Sequence, residues 1–134
     1  MLEQVLVRSI PNRLETFPKL TPGKDPYHFQ SWDTDEDTGE PVLRYWFWSR
    51  DRTKKHKKRV FVVEAKRLLR STCGTAFISR DAFREYCPRT NSDGECGFAV
   101  IIGILKYLGV VCSLGRGMYQ IVDQAKARQL AGDV

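Results

Sequence analysis

One segment constrains the fold of this chain more than any other. From Cys96 to Leu108 it reads Cys-Gly-Phe-Ala-Val-Ile-Ile-Gly-Ile-Leu-Lys-Tyr-Leu, and Lys106 is its one charged group after Glu95. The pattern predicts a helix opening at Glu95 or Cys96, running to Leu108 and stopping at Gly109. Its apolar run, Phe98 to Leu105 around Gly103, is far too short at about 1.5 Å per residue to cross a bilayer. A helix that is apolar all round is buried on more than one face. Gly97, Ala99 and Gly103 permit the close approach of a covering element. That element is either the N-terminal β hairpin or a second copy of the chain. With 134 residues, 42% of them hydrophobic, the chain has material for one compact domain with a real core.

Charge is the second organising feature. The chain carries a net +6, but residues 42–72 alone hold 11 basic and 2 acidic groups, against 4 and 8 in residues 1–41. The centre is Arg50-Asp-Arg-Thr-Lys-Lys-His-Lys-Lys-Arg59. Such a cluster raises the local potential and attracts polyanions, or else keeps a loop between two strands solvated. The candidate polyanion contacts here are Arg50, Arg52, Lys54, Lys55, Lys57, Lys58 and Arg59.

Other chemistries find little support. Cys73, Cys87, Cys96 and Cys112 form no Cys-x-x-Cys pair, so no zinc site is expected and the thiols read as small buried apolar groups. Asp33, Asp35 and Asp37 begin like a calcium loop, but Thr38 stands where that loop needs Gly and Arg44 where it needs Glu. A solvated acidic turn is expected there. The two histidines, His28 and His56, come with no recognisable nucleophile or metalloprotease motif. No catalysis, cofactor or metal is therefore expected. The start of the chain lacks an apolar run of about 7–15 residues, which suggests a cytoplasmic protein without a signal peptide.

Along the chain, Pro11, Pro18, Pro22 and Pro26 exclude long helices from residues 1–26, which read as an extended N-terminal arm with one short strand at Leu2–Ile10. Residues 27–63 read as β structure: Tyr27–Trp32 alternates, Val42–Trp48 is aromatic, and Val60–Val63 follows the basic run. This places Lys54–Arg59 at a hairpin tip. The interleaving of Tyr45, Trp46, Phe47 and Trp48 with Arg44 and Arg50 offers a base-stacking face; the alternative is that two rings join the core and the others cover a neighbouring loop. Glu64–Ser71 reads as a helix and Ala76–Ile78 as a brief strand. Ser79 caps a helix that ends before Pro88, and Arg89–Gly94 is a turn. After the apolar helix, Val110–Val122 forms a hairpin around Leu114-Gly-Arg-Gly117, and residues 124–134 end in a short helix or tail.

The order helix, strand, helix, turn, helix, hairpin over residues 64–123 resembles a winged helix-turn-helix domain. The resemblance is carried by Phe77-Ile-Ser-Arg-Asp-Ala-Phe83, Ile104-Leu-Lys-Tyr-Leu-Gly-Val-Val111, the Gly-Arg-Gly wing and Tyr119-Gln-Ile-Val122. The expected fold is α+β, a winged helix-turn-helix with an N-terminal β-hairpin and aromatic-strand extension. The resemblance implies that Arg89, Asn91 and Ser92, with Glu95, approach bases, that Arg116 at the wing tip approaches backbone or minor groove, and that Arg80 and Arg84 contact phosphates. The apolar third helix departs from this pattern, because base readout needs Arg, Lys, Asn or Gln.

Together these readings predict a nucleic-acid-binding protein of regulatory type, with DNA as partner and RNA or single strands open. The alternative is a protein-interaction module, an adaptor or a phage or mobile-element accessory factor, dimerising through the third helix.

Overall fold

A computed structural model describes residues 16–17, 26–72, 77–115 and 117–132. The expected strand at Leu2–Ile10 lies outside the described residues. Within the expected arm, Thr16–Phe17 (β1) instead pairs antiparallel with Tyr27–Thr34 (β2). Pro41–Trp48 (β3) and Lys55–Phe61 (β4) complete an antiparallel sheet of order β1-β2-β3-β4. Helix α1 (Val62–Thr72) follows directly, then β5 (Phe77–Ser79), α2 (Arg80–Tyr86), α3 (Pro88–Asp93) and α4 (Gly97–Tyr107). The strands β6 (Val111–Gly115) and β7 (Met118–Ile121) and the helix α5 (Gln124–Ala131) end the described chain. The second sheet has order β5-β7-β6 and is antiparallel throughout. The fold is α+β.

The apolar helix does what its composition demands. Phe98, Ala99, Val100, Ile101, Ile102, Ile104 and Leu105 of α4 are all buried, in one core with Leu43, Tyr45 and Val60 of the first sheet and Leu68 and Leu69 of α1. Each of the larger side chains among them contributes roughly 1.5–3 kcal/mol by leaving water. The chain itself therefore covers most of α4, with Tyr107 at its end exposed, so among the described residues the first sheet and α1 pack where a second copy was the alternative. Gly109 closes α4 in the left-handed region, φ +77°, as its position after the helix predicts.

Four further expectations change. The basic run is not a hairpin tip: β4 begins at Lys55, and the tip is residues 49–54. Pairing with an aromatic strand outweighs the low strand propensity of lysine, and lysine is well tolerated on an edge strand. Val62 and Val63 leave the sheet and start α1.

The Arg89–Gly94 turn is instead the helix α3, with Pro88 in its first turn. The buried Glu64 carboxylate holds this helix. It accepts from Arg89 N (3.1 Å), Thr90 N (2.8 Å) and Thr90 Oγ1 (2.8 Å), so it satisfies the amides that the start of a helix leaves open. α3 in turn covers part of the sheet edge. Thr90 Oγ1 accepts from Phe61 N (3.1 Å) and Asp93 Oδ2 accepts from Arg59 N (2.6 Å).

The acidic turn is not simply solvated. Asp35 is 4% exposed and is ion-paired with Arg59. Its Oδ2 accepts from the amide and hydroxyl of Thr38 (3.1 and 3.0 Å).

Candidate nucleic-acid interface

The β3–β4 register sorts the basic run onto two faces. Trp48 lies opposite Lys55, Trp46 opposite Lys57 and Arg44 opposite Arg59; the alternate pairs are Phe47–His56, Tyr45–Lys58 and Leu43–Val60. Side chains alternate along a strand, so the first set shares one face and the second the other. Tyr45 and Leu43 are buried, which makes the second face the core side. Lys58 lies on this side, against Gly94 and close to Cys96. The outer face carries Arg44, Trp46, Trp48, Lys55 and Lys57.

Rings and cations interlock on that face. The Trp46 indole stacks on His28 of β2, with centroids 4.1 Å apart and planes within 13°, and meets Trp48 edge-on at 5.4 Å. The Lys55 ammonium sits 4.5 Å from the Trp46 ring and 5.4 Å from Trp48, and the Arg52 guanidinium lies 5.8 Å from Trp48. These cation–π contacts hold flexible side chains over the sheet without neutralising them.

The tip is ordered from within. Asp51 Oδ1 accepts from the hydroxyls of Ser49 and Thr53, both at 2.7 Å, and Ser49 N donates to Lys54 O at 2.8 Å. Hydrogen bonds from Thr53 and Ser49 lower the Asp51 pKa to about 2. Arg52 takes the left-handed conformation, φ +59°, uncommon for a residue with a Cβ.

Neutralisation divides the cations. Arg44 pairs with Asp33 at 2.8 Å, and Arg59 with Asp35 and Asp93. Arg89 is held by Glu40 (2.6 Å) and Glu64 (3.3 Å), and lies with Arg59 against the Phe61 ring, at 4.5 and 5.3 Å. Lys54, Lys55 and Lys57 have no ion pair among the described residues and are exposed. The unneutralised charge thus gathers beside Trp46 and Trp48. Arg59 and Arg89, expected as nucleic-acid contacts, are each ion-paired with two carboxylates and so join elements of the fold.

The other expected contacts lie elsewhere. Arg80 sits 5.0 Å from the Phe98 ring, and Arg84 pairs with Asp81 on the exposed side of α2. Asn91 and Ser92 lie on α3. Arg116 lies outside the described residues. The structure therefore brings Arg50, Arg52, Lys54, Lys55 and Lys57 to one end of the first sheet, while Arg80 and Arg84 lie on α2 and Asn91 and Ser92 on α3. Two ring positions, Trp46 and Trp48, join the site from β3, and the alternation Arg44-x-Trp46-x-Trp48 is the signal that marks them. His28 comes from another strand, and no local pattern marks it.

Cys87 and Cys96 are not set up as nucleophiles: burial pushes the Cys87 thiol up to about 12, and the Cys96 thiol is also raised by burial. Cys96 lies 3.0 Å from the Tyr45 hydroxyl. No three metal-ligating side chains gather among the described residues, and none of the described helices is long and apolar enough to cross a membrane. Comparison with protein-family models, curated proteins and solved structures finds no match to this chain.

Proposed function

We propose that this protein binds nucleic acid, chiefly through phosphate contacts from the outer face of β3–β4. One observation carries the reading: Lys54, Lys55 and Lys57 stand exposed and without ion pairs among the described residues at the Trp46–Trp48 end of the sheet, while Arg44 and Arg59 are compensated by carboxylates. An edge strand that needed only protection from aggregation would not require two tryptophans on the same face. We further propose that the region read from sequence as residues 64–123 forms a winged helix-turn-helix. The order α1-β5-α2-α3-α4-β6-β7 and the sheet order β5-β7-β6 support this. With α4 buried, such a unit would serve as a scaffold rather than read bases in a groove.

The test is fluorescence anisotropy with labelled DNA between 50 and 200 mM salt. About four phosphate contacts should lower affinity some fiftyfold on single strands across that range. Replacing Lys55 and Lys57 by Ala should flatten the slope of log K against log salt by about 1.4 units. An unchanged slope would reject this placement.

A second reading has its own observation. The outer face of the small sheet exposes Phe77 and Met118, with Leu114 at the hairpin. Such a patch suits a protein contact. Binding of DNA insensitive to residues 50–57, with a protein partner lost on Met118→Asp, would favour it.

A further inference from the structure

We infer that the nucleic acid this face takes is single-stranded, with bases stacked on Trp46 and Trp48 and the backbone running along β4. The inference rests on the cationic face being the binding surface and adds which form of nucleic acid fits it. The face is asymmetric: one row, on β4, is cationic (Lys55, Lys57), and the adjoining row, on β3, is aromatic (Trp46, Trp48). Neighbouring strands lie about 4.8 Å apart. A single strand presents phosphates and unpaired bases side by side, in the same division. A duplex hides its base faces and would set its charged backbone on the indoles as well as on the lysines. The compensated pairs Arg44–Asp33 and Arg59–Asp35 bound the platform at its other end, where a phosphate meets carboxylates.

The cations resting on the rings are compatible with this use. Lys55 lies over both indoles and Arg52 over Trp48, so the groups that would pair with phosphate also cover the ring faces in the free protein. A cation–π contact at an exposed site corresponds to about a two- to fivefold effect. Stacking of a base on an aromatic side chain corresponds to about five- to a hundredfold. The exchange of ring-bound cation for stacked base, with the cation moving to phosphate, therefore runs toward the complex. His28 stacks on one face of Trp46, which leaves the Lys55 side of the ring for a base.

The experiment uses the full chain with 15-mers of oligo-dT and oligo-U and a mixed-sequence 15-base-pair DNA duplex, followed by anisotropy at 50 mM salt and by tryptophan emission. Single strands should bind at least tenfold tighter than the duplex and quench tryptophan emission, while the duplex leaves it nearly unchanged. Trp48→Ala should lower single-strand affinity at least tenfold and erase the preference. The oligo-dT and oligo-U arms show which sugar is favoured, and tighter binding of either one over the duplex supports the inference. Equal binding of duplex and single strands without quenching would overturn stacking and leave the phosphate-contact reading standing. No binding of any of the three at 50 mM salt would overturn both. The quenching readout uses the unmodified protein, so an unfolded Trp48 variant would not obscure the result.

Discussion

Gly97 shows how closely single residues are specified. A Cβ built there falls 2.6 Å from Thr90 Cγ2, and Thr90 cannot yield because its hydroxyl bridges Glu64 and Phe61 N. Alanine normally favours a helix over glycine by about 1 kcal/mol. Here the overlap reverses the sign, and Gly97→Ala should cost about 1–3 kcal/mol in urea unfolding. Thr90→Ser keeps the hydroxyl and removes the methyl, so the double variant should be more stable than Gly97→Ala alone. Asp35 gives a second test. Desolvation raises its pKa, but hydrogen bonds from Thr38 and the charge of Arg59 outweigh it, and the net value is lowered. Its folded pKa lies below the unfolded one, near 3.9. Its stabilising contribution is therefore complete at neutral pH and is lost as pH falls through the folded value. Denaturation curves at pH 7, 5 and 3 should show little change between the first two and a marked loss at pH 3. Asp35→Asn should be less stable at pH 7 and lose less on acidification.

Among the elements, α3 is the one most dependent on distant chemistry. Its six residues cannot sustain a helix alone, and Glu64 on α1 supplies the acceptors at its start. Glu64→Gln should cost about 3 kcal/mol, because a buried carboxylate that faces several donors and Arg89 is replaced by a group that also donates. Thermal unfolding measures this. The same dependence explains what was legible in the sequence. The Ser79 cap, with its oxygen accepting from Ala82 N at 3.2 Å, the left-handed Gly109 and the buried apolar helix are signalled within a few residues. The helix at 88–93 and the extension of β4 back to Lys55 were not, because a side chain 26 positions away and a neighbouring aromatic strand decide them. The site divides likewise. The density of lysines marked the region, but only the register shows that Lys58 faces the core, and only the tertiary ion pairs show that carboxylates compensate Arg59 and Arg89.

In the whole molecule, the two clamps bind the four-stranded sheet to the helical part: Arg59 joins β4 to the Asp35 turn and α3, and Arg89 joins α3 to Glu40 and α1. The carboxylates recruited for this are spent on Arg59 and Arg89, and Lys54, Lys55 and Lys57 at the tip end of β3–β4 have no ion pair among the described residues. The account therefore separates stability from binding. Lys55→Ala with Lys57→Ala should leave the melting temperature nearly unchanged, whereas Arg59→Ala should lower it. The most direct test is a nuclear magnetic resonance titration of the three tryptophan indole N–H signals with oligo-dT. Trp46 and Trp48 should shift together with the amides of residues 50–57, and Trp32, whose indole nitrogen is buried, should stay in place. Shifts confined to α3 and the β6–β7 hairpin, with Trp46 and Trp48 unmoved, would contradict a binding face on β3–β4.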